Sequence, residues 1–279
     1  MRWVPLWSFL DEEAESQQMK FIASSNPPVG VVEAVKRFNW NVNYSGLIHS
    51  VSQEGLFAEN KEKLIVNCLM IILDSCHNLS AAAWEQVFLA LRKLFASKAG
   101  FSAFYAVPRP THFQKCALCR LREMLGSAVM IALKLNDDGV SQVAIDALCA
   151  LMHPLHDNYE LKVEQMNKWS LLSSRKFVEH ILDMFCFHVR HGTGALVVTS
   201  VLDFLTFALC MPYGETTPAE QFDMVLELLV ARARTLYKLF EYPSLTIVKG
   251  AGLVIQAMIE VNYVTLNDIK LKFSLSMIS

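Results

Sequence analysis

Glycine, proline and charge are all scarce in this sequence, and each shortage excludes a class of protein. The chain of 279 residues has 11 glycines and 9 prolines, too few for the many turns of β-sandwiches, β-barrels or disordered tracts. Only 19% of its residues are charged and the formal net charge is -2, so no field is available to gather DNA or RNA. Nucleic acid is therefore not an expected partner.

Long uninterrupted apolar runs are missing too. The most apolar stretch, residues 195–211, carries Asp203 at its centre and is bounded by Gly194 and Pro212. A transmembrane helix needs roughly 20 apolar residues, and a mid-bilayer carboxylate costs about 3 kcal/mol on insertion scales. We therefore predict a buried helix here and no transmembrane segment. The 7 cysteines mostly lie in apolar helical patterns, which indicates a reducing, intracellular compartment.

Catalytic and cofactor motifs are also absent. The sequence has no Gly-x-Ser-x-Gly elbow, no P-loop and no dinucleotide fingerprint. His112, Cys116 and Cys119 offer three metal ligands, but a closed zinc site needs four and no second Cys-x-x-Cys pair exists. We predict no enzyme and no cofactor. The three residues stay the one weak metal candidate, with helix packing as the alternative.

Apolar residues are abundant, at 53% of the chain, and they recur at helical spacing. Residues 1–30 are expected to form a lead-in, residues 31–262 an armadillo-like helical repeat region, and residues 263–279 a divergent tail. The patterns of the first half predict successive helices as far as residue 133. Ser80 is expected to cap one of them, because its hydroxyl can accept an N-terminal amide hydrogen bond.

Three helix-turn-helix units are predicted from about residue 113 onwards. They comprise a helix that starts near residue 113 and reaches residue 133 with a helix over 140–152, a pair over 177–191 and 195–210, and a pair over 222–242 and 245–260. The inner helices begin roughly 50 residues apart, slightly above the step of ~40–47 that is typical of HEAT and armadillo units. One such unit cannot bury its apolar face alone, so the units must stack. The sequence predicts an all-α, armadillo/HEAT-like α-solenoid.

Two sets of charged residues are candidates for special roles. Asp203 and Lys249 lie deepest in apolar helical patterns, so we predict that both are buried and structural, as a mutual ion pair or bound by turn amides. Arg232, Arg234 and Lys238 form a candidate basic patch for acidic peptides or lipid headgroups. A solvated helix face is the alternative for this patch.

A set of sequence strings resembles the receptor-mediated-endocytosis J-domain family, the large endosomal members of DnaJ homolog subfamily C. The strings include Arg37-Phe-Asn, Gly55-Leu-Phe-Ala-Glu-Asn-Lys-Glu-Lys-Leu, Asp146-Ala-Leu-Cys-Ala-Leu-Met, His191-Gly-Thr-Gly-Ala-Leu-Val and Leu202-Asp-Phe-Leu-Thr-Phe-Ala-Leu-Cys. Residues 109–119 look like an insertion in a family loop, and the tail from Val261 leaves the family pattern. The Hsp70-activating tripeptide His-Pro-Asp is absent, since the nearest match is His153-Pro154-Leu155.

The resemblance implies a protein-binding scaffold segment of an early-endosome co-chaperone. Members of this family are expected to recruit Hsc70, to work with sorting nexin/retromer and the WASH complex, and to act in receptor-mediated endocytosis and endosomal sorting. Peripheral association with the endosomal membrane would come through regions outside this chain. A generic armadillo-type adaptor in nuclear transport or degradation is the alternative, and a helical enzyme is a third reading.

Overall fold

The computed structural model describes residues 29–40, 61–74, 79–105, 125–126, 128–154, 156 and 160–276, with backbone only beyond residue 260. Its α-helices are α1 Val29–Asn39, α2 Lys61–Asp74, α3 Ala81–Phe95, α4 Lys98–Tyr105, α5 Asp138–Met152, α6 Leu161–Leu171, α7 Arg175–His191, α8 Ala195–Leu209, α9 Ala219–Val230, α10 Ala233–Tyr237 and α11 Leu245–Ser276. Short 3-10 helices span Tyr213–Thr216 and Lys238–Glu241, and residues 128–133 are also helical. None of the described residues forms a strand. The fold is all-α with helices packed in hairpins, so the predicted fold class is confirmed.

The chain divides into two compact units, residues 1–174 and residues 175–279. In the first unit, α3 packs against both α1 and α5, while α2 and α4 pack together and α6 packs on α5. The buried side of α3 presents Trp84, Phe88, Leu91 and Phe95, which recur at three- and four-residue spacing. This spacing puts large side chains on one side of the helix, where the neighbouring helices cover them.

Local capping fixes where two of these helices begin. The Ser80 hydroxyl accepts a hydrogen bond from the amide of Ala83 at 3.3 Å, so its predicted role as an N-cap is confirmed. The carboxylate of Asp137 likewise accepts from the amide of Val140 at 3.0 Å and starts α5. Each cap satisfies an amide that the first helical turn leaves without a partner.

In the second unit, α7 packs on α8, α8 packs most extensively on α11, and α9 contacts both α7 and α8. Polar contacts join α7 to the chain about 50 residues later. Arg175 binds Glu227, 52 positions on, and Asp183 binds Arg232, 49 positions on. Because both pairs advance in the same direction, α7 runs parallel to α9 and its continuation. The second hairpin therefore repeats the first at the predicted step.

A similar step also occurs in the first unit, where the sequence patterns predicted only one repeat unit, the one that ends with the helix over 140–152. Asn39 at the end of α1 donates to the carbonyl of Gln86 in α3, 47 positions on. Arg92 in α3 pairs with Asp146 in α5, 54 positions on. The helices α1, α3 and α5 therefore pack in succession at a step similar to that of the second unit.

The helix predicted over residues 222–242 is wrong as a single element. It is broken into α9, α10 and a 3-10 helix, and Arg232 at the break has a non-helical backbone with φ of -112°. The side chain of Arg232 donates to the carbonyl of Leu228 at 2.9 Å and to the carboxylate of Asp183 at 2.7 Å. An arginine that partners the last turn of α9 in this way favours ending the helix there.

Candidate interaction surface

The prediction that Asp203 and Lys249 are buried is wrong, because both side chains are exposed. Asp203 lies one helical turn after Thr199 and two turns after Leu196, on the exposed side of α8. The buried side carries Leu202 and Leu205 instead. Because residues 195–211 are almost all apolar, the periodicity of the sequence distinguishes the buried side of α8 from its exposed side only weakly.

The helices that carry these two charges lie side by side. A Cβ atom on Gly250 of α11 would meet the Leu202 side chain of α8 at 3.3 Å, so the glycine permits close approach. Further along, burial raises the pKa of the Cys210 thiol, a hydrogen bond with Thr206 opposes the rise, and the charge of Glu260 adds to it. Tyr242, just before α11, hydrogen-bonds to His188, just before α8, and Gly250 approaches Leu202 further along, so α8 and α11 are parallel.

We define the α8–α11 face as the exposed side chains of these two parallel helices. It includes Leu196, which is 65% exposed, Leu245, which is 81% exposed, and Leu253, which is 40% exposed. Asp203 and Lys249 lie among these leucines on the same exposed sides. Apolar side chains interspersed with the carboxylates of Asp203 and Glu260 and one ammonium group suit the binding of another polypeptide. Whether Asp203 and Lys249 pair with each other stays a prediction.

The predicted basic patch is divided by the break between α9 and α10. Arg232 is directed to Asp183 of α7 and is only partly exposed, whereas Arg234 and Lys238 are exposed on the short helices that follow. Two of the three cations therefore remain at the surface. The role of this patch in binding stays a prediction.

A buried polar cluster in the first unit was not predicted. The Lys168 ammonium group of α6, with a fully buried side chain, lies 3.0 Å from the carboxylate of Glu164, which is 3% exposed. The same carboxylate lies 3.2 Å from Nδ1 of His153, just after α5. Asn167 donates to the carbonyl of Leu151 at 2.8 Å. The cluster thus ties α6 to the end of α5.

Burial and pairing act in opposite directions on this lysine. Removal from water lowers the pKa of Lys168, while the hydrogen bond and the charge of Glu164 raise it, and the lowering dominates. The four-residue spacing of Glu164 and Lys168 is the signal that sequence reasoning missed. It was missed because polar residues occupy most of the buried positions of α6, so its apolar residues do not recur at helical spacing.

A second polar contact joins α1 to α3. The Lys93 ammonium group donates to the carbonyl of Phe38 at 2.5 Å and lies 4.8 Å from the centre of the Phe38 ring. A cation at this position stabilises the end of α1, because the last carbonyls of a helix carry partial negative charge. Phe38 and Asn39 belong to Arg37-Phe-Asn, one of the strings that carry the family resemblance, and both residues contact α3.

For metal ligands and membrane-spanning helices, the structure gives findings on the described residues alone. His112, Cys116 and Cys119 lie outside the described residues, so the metal candidate stays untested. Elsewhere, in the part of the chain that the structure describes, no group of three or more His, Cys, Asp or Glu could hold a metal ion. Nor does any helix among those residues have both the length and the apolarity to cross a membrane.

The stacked hairpins and the exposed α8–α11 face define a helical-repeat protein with a surface available to partners. The family model for the fourth domain of the DNAJ protein RME-8 matches residues 9–152, which is more than half of the chain. The chain therefore belongs to the RME-8 family of DNAJ proteins, and the resemblance seen in its sequence strings is confirmed. No curated protein and no solved structure gives a significant match.

Proposed function

We propose that this chain is a non-catalytic protein-interaction scaffold segment of an endosomal DnaJ-type co-chaperone. It acts in receptor-mediated endocytosis, early-endosome organisation and endosomal protein sorting. The observation that carries the proposal is the α8–α11 face, where exposed leucines lie beside Asp203 and Lys249 on two parallel repeat helices. Repeat proteins use such extended surfaces to bind other chains.

Family membership and the sequence resemblance support the proposed partners. Hsc70, sorting nexin/retromer and the WASH complex are the proteins expected for the family, and early endosomes are the expected location. A fold alone does not choose a pathway, because α-solenoids serve many functions. Family membership favours the endosomal scaffold over an armadillo-type adaptor of nuclear transport or degradation.

Binding of the purified chain to purified partners tests this proposal. We expect at least one of Hsc70, sorting nexin and the WASH complex to bind the full 279-residue chain. The double substitution Asp203→Arg and Leu253→Glu should weaken that binding by about tenfold or more, as loss of a central contact does. Both side chains are exposed, so the fold should tolerate the changes.

A matched control separates the face from general effects of charge. Glu33→Arg reverses one exposed carboxylate on α1, as Asp203→Arg does on α8. It should leave partner binding unchanged. The proposal is wrong if no partner binds the chain, or if the face variant binds as tightly as the control.

A further inference from the structure

Exposed apolar and aromatic side chains gather around two hairpin turns of the second unit. Phe187 near the end of α7 is 55% exposed, and Tyr237 and Phe240 in the following repeat are 60% and 48% exposed. Leu196 and Leu245, next to the two turns, are 65% and 81% exposed. Single exposed apolar residues are ordinary, but a group of them marks an interaction site.

Both turns lie at the same end of the unit. The hydroxyl of Tyr242, just before the second turn, donates to the carbonyl of His188 near the first turn, at 3.5 Å. The Thr193 hydroxyl and Nδ1 of His188 are 3.1 Å apart, which ties the first turn to the same residue. We therefore treat segments 187–196 and 233–245 as one surface and call it the turn end.

The charges of the turn end have one dominant sign. Arg190, Arg234 and Lys238 are exposed, as is His191, and Glu241 is the single carboxylate in these two segments. The whole chain has a formal net charge of -2, so this local excess of cations departs from the average. The turn end is thus electrostatically complementary to an anionic surface.

We propose that the turn end binds the surface of a bilayer that contains anionic phospholipids. Aromatic side chains with a polar edge or neighbouring cations are stable at the headgroup level, where rings enter the interface and cations meet lipid charge. Three exposed cations against one carboxylate lie in the same two segments as these aromatics, which favours an anionic headgroup surface as the occupant. The contact is peripheral.

This inference does not depend on the proposed scaffold function. The sequence resemblance placed membrane association in regions outside this chain, and the turn end adds a contact within it. The two surfaces share Leu196 and Leu245, but they are separable by substitution, because Arg234 and Lys238 lie outside the α8–α11 face. Loss of vesicle binding with retained partner binding would affect only one of the two proposals.

Flotation of the full chain with vesicles tests the inference. We expect binding to phosphatidylcholine vesicles that contain phosphatidylserine, weak binding to phosphatidylcholine alone, and a decrease of the binding in high salt. Arg234→Glu with Lys238→Glu should weaken binding by about 25-fold or more, since each cation near an anionic membrane contributes about fivefold. Tyr237→Ser with Phe240→Ser should weaken it while leaving the salt dependence in place.

The control is Lys36→Glu with Lys98→Glu, which makes the same change of charge at two exposed lysines of the first unit. Its vesicle binding should equal that of the unchanged chain. Equal losses in the control and in the turn-end variant would overturn the inference, because net charge alone would then explain them. A chain that binds no anionic vesicle would also overturn it and would assign the turn end to a protein partner.

Discussion

Removing the charge of Lys168 should destabilise the first unit by about 3 kcal/mol, the lower end of the range for breaking a buried ion pair. In Lys168→Met, the Glu164 carboxylate loses the ammonium group at 3.0 Å while it stays 3% exposed. We take the lower end because His153, at 3.2 Å, remains as a partner. The side chain of Lys168 is fully buried, and methionine fills much of the same volume.

Removing both charges should recover most of this loss. In Glu164→Leu with Lys168→Met, no carboxylate is left in the apolar site, and His153 is exposed enough to reach water. We expect its free energy of unfolding to lie within about 1 kcal/mol of that of the unchanged chain, or above it. Together with the single variant Glu164→Leu, these variants form a double-mutant cycle, whose interaction free energy isolates the contribution of the pair.

Urea denaturation, followed by circular dichroism and by hydrogen exchange of the α6 amides, measures these differences. The matched control is Lys162→Met, which removes an exposed lysine from the same helix and should change stability by less than about 0.5 kcal/mol. The reasoning is refuted if Lys168→Met costs no more than this control. It is also refuted if the double variant is no more stable than Lys168→Met.

Three further predictions concern a turn, a helix end and a thiol. Gly194→Ala should lower the free energy of unfolding, measured by thermal denaturation, by about 3 kcal/mol, because its φ is +58° and the new Cβ would overlap the His188 ring. The control Gly192→Ala, with φ of +64° and open space around it, should lower it by only about 1 kcal/mol. Lys93→Met should lower stability by about 1 kcal/mol and speed hydrogen exchange at the end of α1, and unchanged exchange there would contradict the contact. Burial raises the pKa of the Cys68 thiol to about 12. Peptide mapping should therefore find Cys68 unalkylated in the native chain from about pH 7 to about pH 9. Alkylation as fast as in the unfolded chain would contradict this.

Much of the fold was accessible from the sequence, because strong local signals agree with it. The predicted helices over 177–191 and 195–210 match α7 and α8 closely, since Gly192 and Gly194 mark the turn with positive φ angles. The α5 start was marked by the turn before it. These signals depend on neighbouring residues only, so no tertiary information is needed.

Other elements depend on contacts that a sequence pattern does not carry. The break after α9 follows from the bond of Arg232 to Asp183, 49 positions away. The exposure of Asp203 and Lys249 depends on which side of α8 and α11 the neighbouring helices cover. Helix α6 was missed because a buried Glu164–Lys168 pair replaces apolar residues in its packing. The domain limits at residues 30 and 262 stay predictions.

Proximity labelling in cells tests the central claim of an endosomal interaction scaffold most directly. A labelling enzyme is fused to an RME-8 family protein that contains this chain. The chain is either unchanged or carries Asp203→Arg and Leu253→Glu. We predict that sorting nexin, retromer and WASH components are enriched around the unchanged protein. At least one of them should no longer be labelled by the face variant, whereas the Glu33→Arg control should label all of them. Nuclear labelling without endosomal proteins, or identical labelling by the face variant and the unchanged protein, would contradict the claim.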